Sequence, residues 1–260
     1  MNTHVKLTGI LSLYLALAWC IPAMAQQKPL ELLSPDGTVK VTVTLGEKIY
    51  YSVSSNNEVL LQNNELQLQL RNETLGKKPR LSGQKRSSVD EKIKPVVPFK
   101  FSTVENRYNQ LLLNFSGNYS VEFRAFDDGF AYRFITRKKG KIDVMHEDFN
   151  LSFPSDYLLH TQQDDFSSYY EGPYVSLESQ TFKPEDQMAT LPVLIDTRKG
   201  VKILVSEADL QDYPCLFLHG KGEANGLTSA FPPAPLETKA DPNGRNIRVS
   251  KDADYIAQTS

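Results

Sequence analysis

Short stretches in which every second residue is apolar recur along this chain. Val39–Leu45 reads Val-Lys-Val-Thr-Val-Thr-Leu, residues 66–70 read Leu-Gln-Leu-Gln-Leu, and Tyr119–Phe126 repeats the pattern. Period-two alternation sends successive side chains to opposite faces, so each run predicts a strand buried on one face. Further strands are predicted at 49–53, 59–61, 111–115, 191–196 and 201–207. Turn residues punctuate them: Pro35-Asp36-Gly37, Ser116-Gly117-Asn118 and Thr197-Arg198-Lys199-Gly200. Asp127-Asp128-Gly129, leading into 130–135, predicts a hairpin with an Asp-Gly turn.

Helical spacing is almost absent, and fifteen prolines with fourteen glycines interrupt most windows in which a helix could run. The chain is therefore expected to be all-β, and its length suits a single sandwich domain. Residues 75–98 are basic, contain Ser and Pro, and show no period, so they read as a long irregular connection. Residues 231–244 read the same way. Near the end, Ile247-Arg248-Val249 looks like a strand just starting, and no polar tail follows Asp252-Ala253-Asp254-Tyr255-Ile256-Ala257. The sandwich is thus expected to be truncated at its C-terminal edge, leaving unpaired edges that favour a partner.

Lys6, the apolar run 7–22 and Ala23-Met24-Ala25 form a signal-peptide pattern, which predicts cleavage after Ala25. The run is shorter than the roughly 20 residues of a membrane span. Residues 26–260 are accordingly expected to form one exported, periplasmic domain with no membrane span. Cys20 offers a poor lipoprotein box, because bulky Trp19 precedes it. Its loss with the signal leaves Cys215, whose apolar neighbours Leu216-Phe217-Leu218 suggest a buried small residue. Twenty-nine basic residues against 31 acidic ones argue against nucleic acid as a partner.

The segment from His160 to Tyr174 carries the most chemistry. It reads His160-Thr161-Gln162-Gln163-Asp164-Asp165-Phe166-Ser167-Ser168-Tyr169-Tyr170-Glu171-Gly172-Pro173-Tyr174. One carboxylate among aromatic rings and oxygen acceptors suits an oxygen-ligating cation or a sugar, whose CH face packs on an aromatic ring. Tyr170, Tyr174 and His160 are the candidate sugar contacts, and Glu171 is the candidate metal ligand. Asp164 and Asp165 are read as loop acids. Glu207, Asp209 and Asp212 are read as the polar residues of a bend. His146, His160 and His219 lack zinc-ligand spacing, and no phosphate loop or nucleophile elbow occurs.

Several segments together resemble one family: Leu33-Ser34-Pro35-Asp36-Gly37, Phe126-Asp127-Asp128-Gly129-Phe130-Ala131-Tyr132-Arg133-Phe134, the Tyr170-Glu171 region, and 206–214 (Ser-Glu-Ala-Asp-Leu-Gln-Asp-Tyr-Pro). In order and spacing the chain is similar to the amino-terminal domain of glycoside hydrolase family 97. The resemblance implies a β-supersandwich of the galactose-mutarotase-like kind, packed on a (β/α)8 catalytic barrel that hydrolyses α-glucosides or α-galactosides. It also implies Ca2+ as cofactor, with Glu171 lending one carboxylate to an ion otherwise held by the barrel. No residue of 1–260 matches the barrel's catalytic acid, base or nucleophile. The expected partners are therefore an α-linked oligosaccharide and the barrel, with Ca2+ held only when the barrel is present. The alternative expectation is a stand-alone carbohydrate-binding β-sandwich.

Overall fold

The structure, a computed structural model, describes residues 28–166, 171–244 and 247–259. The signal-peptide expectation, residues 1–25, lies outside them. In chain order the strands are β1 (Leu30–Leu33), β2 (Val39–Leu45), β3 (Ile49–Ser55), β4 (Glu58–Leu70), β5 (Glu73–Leu75), β6 (Leu81–Ile93), β7 (Val104–Phe115), β8 (Tyr119–Phe126), β9 (Gly129–Thr136) and β10 (Ile142–Ser152). There follow β11 (Leu158–Asp164), β12 (Tyr174–Glu178), β13 (Met188–Thr190), β14 (Val193–Asp196), β15 (Lys202–Val205), β16 (Phe217–Gly220), β17 (Gly226–Ala230), β18 (Pro235–Ala240), β19 (Ile247–Asp252) and β20 (Ala257–Thr259). One 3-10 turn, Gly222–Ala224, precedes β17. The all-β expectation holds.

A large antiparallel sheet runs β1-β2-β3-β4-β10-β17-β16-β13-β11-β14-β15, with β5, β12 and β20 added at its flanks. A second sheet, β6-β7-β8-β9, packs on the β1–β4 end of the first. Val41, Val43, Ile49 and Leu66 from one sheet meet Leu111, Leu113, Val121 and Phe123 from the other, and all of these are fully buried. Their period-two spacing is what builds this core, and each such side chain contributes about 1.5–3 kcal/mol of transfer free energy. The far half of the large sheet encloses Tyr157, Leu159, Phe182, Ile195 and Leu227. There Gly220 admits the backbone of Phe182; a Cβ at Gly220 would stand 2.1 Å from the Phe182 carbonyl oxygen.

Two of the family-like turns touch each other. Asp36 Oδ1 accepts hydrogen bonds from Ser34 Oγ, the Thr38 amide and Thr38 Oγ1. The Asp36 amide then donates to Asp127 Oδ1 at 2.9 Å, joining the loop after β1 to the β8–β9 turn. Those hydrogen bonds, that from Ser34 foremost, hold the Asp36 carboxyl down at about 2.

Three readings need correction. The irregular connection expected at 75–98 contains β6, a thirteen-residue strand. Its charged residues project from an edge strand that overhangs the core, so no apolar alternation is required of it. The irregular segment expected at 231–244 contains β18, which pairs with β19 in a hairpin exposed along both strands. The separate strands expected at 59–61 and 66–70 are one strand, β4, whose pairing with β3 shifts register between them; Asn63 there adopts positive φ. At the end of the chain, β20 pairs with Ile142, Asp143 and Val144 of β10.

Candidate functional site

β11 and β12 carry the candidate residues. Their register sets His160 opposite Ser176 and Gln162 opposite Tyr174, so these four side chains share one face. Leu159 and Thr161 point the other way and are fully buried. On the other side of β11, β14 places Leu194 beside His160, and β15 adds Leu204, 64% exposed, beyond it. The shared face therefore looks outward. His160 Nδ1 lies 2.9 Å from Ser176 Oγ, which fixes the ring on the strand. Tyr174 is 61% exposed and available for ring stacking.

Glu171 lies just before β12 and is exposed. Gln162 Nε2 donates to the Gly172 carbonyl oxygen at 2.5 Å, tying the backbone next to Glu171 to β11. The structure thus places His160 and Tyr174 on one face and Glu171 at the entry to the strand that carries Tyr174. Tyr170 lies outside the described residues, as do Ser167, Ser168 and Tyr169. Asp164 ends β11 opposite Met188, and its Oδ1 accepts the Asp165 amide.

Among the described residues no three His, Cys, Asp or Glu side chains converge in a way that could hold a metal ion. Ca2+ takes about six to eight oxygen ligands. Glu171 fits such an ion as a single donor.

Sequence reasoning missed a different carboxylate. On β10, Glu147 faces inward: Oε1 accepts from Tyr132 Oη of β9 at 3.1 Å, and Oε2 accepts from Tyr213 Oη of the 206–216 loop at 3.0 Å. Burial pushes the Glu147 carboxyl up, with the charges of Glu207 and Asp148 adding and the two tyrosines opposing. Burial and the Glu147 charge likewise raise both tyrosines. The signal was present in the alternation, because Phe149, Leu151 and Phe153 form an inward period-two run that reaches back to position 147. Polar neighbours His146 and Asp148 mask it.

The 206–216 loop is organised by such contacts. Glu207 Oε2 accepts the Leu216 amide at 3.0 Å, and burial raises its carboxyl. Asp209 and Asp212 are exposed at turn positions with positive φ, as a bend's polar residues would be. A cleft of about 270 Å³ lies between this loop and Leu191-Pro192, lined also by Leu210 and Cys215. Cys215 is exposed, contrary to its apolar context: it ends the loop, and burial begins at Leu216.

The chain is 34% identical over 251 residues to a retaining alpha-galactosidase of Bacteroides thetaiotaomicron, a match covering 92% of this chain and 38% of that protein. A glycoside hydrolase family 97 enzyme from Pseudoalteromonas sp. strain K8, solved with acarbose, superposes with a TM-score of 0.68 at 19% identity, over 78% of this chain and 32% of that one. A beta-arabinopyranosidase gives a TM-score of 0.67 at 23% identity, over 88% and 38%. The chain thus spans only about a third of the length of these relatives. The family model described as glycosyl-hydrolase 97 N-terminal matches residues 32–260, and the chain belongs to that family.

Proposed function

We propose that this chain is the non-catalytic amino-terminal domain of an exported α-glycosidase, of α-glucosidase or α-galactosidase type, which packs on a (β/α)8 barrel. In this reading Glu171 supplies one carboxylate to a Ca2+ ion completed by the barrel, beside an α-linked oligosaccharide. The observation that carries it is the exposure of Glu171, as a single oxygen donor, on a segment anchored by Gln162. A hydrolytic pair of carboxylates must flank a sugar at a defined separation, about 5 Å for retention and more for inversion. Among the described residues, two inward-facing acids are instead engaged internally: part-buried Glu147 by two tyrosines, and buried Glu122 by Arg124 and Arg133. Coverage of 38% of the galactosidase leaves ample length there for a barrel. Export to the periplasm rests on the leader pattern of residues 1–25. Among the described residues no helix is long and apolar enough to cross a membrane. Incubating the purified protein with aryl α-glucoside and aryl α-galactoside in the presence of Ca2+ tests the reading. No turnover is expected, and clear turnover would refute it.

A second reading, a stand-alone carbohydrate-binding sandwich, draws on the exposure of Tyr174 beside His160. Calorimetric titration with maltooligosaccharides separates the two. Saturable binding abolished by Tyr174→Ala supports the second reading, and no binding supports the first.

A further inference from the structure

β6 forms one edge of the four-stranded sheet: it pairs with β7, and no strand among the described residues lies on its other side. Most of its thirteen residues are exposed. A free strand edge presents unpaired N–H and C=O groups and is a template for another strand. The β6–β7 ribbon also runs on beyond its neighbour. Pairing of β8 with β7 reaches only Tyr108, whereas β6 follows β7 out to Val104. The tip past that point carries Val96, Val97, Phe99 and Phe101, 66–101% exposed. Apolar groups gathered in this way mark an interaction surface.

The order of charges along β6 identifies what fits it. When β6 lies antiparallel to the same strand of a second copy, with Ser88 on the two-fold axis, Lys85 stands opposite the partner's Glu91 and Arg86 opposite the partner's Asp90. Symmetry repeats each pair. Moving the axis by one residue destroys the match. About Ser87, Lys85 meets the partner's Val89; about Val89, Arg86 meets the partner's Lys92, a like-charge pair that destabilises a sheet. Among the described residues Lys85 and Arg86 make no ion pair within the chain, while Glu91 accepts from Asn106 and Asp90 adjoins Arg107 in the ladder. The same pairing carries each apolar tip toward the partner's Lys78–Leu81 end, where it can be covered.

We infer that β6 is a self-complementary edge through which two copies of this chain join their four-stranded sheets into one continuous sheet, with the apolar tips as outriggers. This does not depend on the glycosidase reading.

Sedimentation equilibrium across a range of protein concentrations tests it. The protein is expected to dimerise, more weakly as salt is raised. Lys85→Glu with Arg86→Glu turns attraction into repulsion at four positions and is expected to weaken the dimer roughly a hundredfold or more. Adding Asp90→Arg and Glu91→Lys is expected to restore self-association of the swapped protein, which then fails to mix with the parent. In a Cys215→Ser background, Ser88→Cys is expected to oxidise to a linked dimer, because directly opposed residues sit about 4.5–5.5 Å apart, within disulfide range. Ser82→Cys, which faces the partner's Lys94, is expected not to link. Thermal unfolding by circular dichroism checks that these exposed-edge variants keep the parent fold. A monomer at every concentration, or a dimer indifferent to the charge reversal, overturns the inference.

Discussion

Two glutamates, one on the large sheet and one just outside it, have opposite surroundings. Glu147 is enclosed between β10, β9 and the 206–216 loop, and each of its oxygens accepts a tyrosine hydroxyl. Glu171 stands exposed at the entry to β12, in a segment whose backbone is held by Gln162. The first ties parts of one chain together, so its removal should be felt throughout the fold. The second presents its carboxylate to solvent, as the proposed contact with a neighbouring module requires. Burial of an acid, more than its presence among aromatic residues, separates an internal fastener such as Glu147 from the outward donor proposed for Glu171.

The largest effect is expected from Glu147→Ala. It strands the Tyr132 and Tyr213 hydroxyls, and urea denaturation is expected to show a loss of about 3 kcal/mol. Tyr213→Phe removes one of the two contacts and is expected to cost about 1 kcal/mol; its signature is faster hydrogen exchange across 206–216 with little change in the β2–β8 core. Glu147→Gln should cost less than the alanine variant and also change the pH response. A carboxyl raised above the ordinary glutamate value of 4.5 binds its proton more tightly in the folded state. Its contribution is therefore largest below that value and falls as pH rises through the folded-state value. The stability difference between parent and Glu147→Gln should accordingly shift in favour of glutamine as pH rises across this window, and a flat difference would contradict the burial of the group. Glu171→Ala, the mildest change, is expected to leave stability within about 0.5 kcal/mol of the parent.

The part of the fold legible in the sequence was the part whose strands bury one face. β2 and β8 match the period-two runs residue for residue, because their alternate side chains fill the core between the sheets. β18 and β19 escaped because both of their faces meet solvent, and β6 because its half-buried face carries Gly83 and Ser87 as well as Leu81 and Val89; their pairing is a backbone property that leaves no apolar rhythm. At the candidate site, the shared face of His160 and Tyr174 follows from strand register, which residue types alone do not specify. Glu171 was visible as a lone acid among tyrosines. The inward place of Glu147 lay in the alternation behind polar neighbours, but its partners did not, since they lie 15 and 66 residues away and only the fold brings them together.

In the reading proposed above, Glu171 grips a hard cation only when oxygens from another module surround it. Titration of the purified protein with Ca2+, parent beside Glu171→Ala, tests this most directly. Binding no tighter than about 1 mM is expected for either protein, the range of weak, ligand-poor calcium sites. Micromolar uptake of Ca2+ by this chain alone would contradict it.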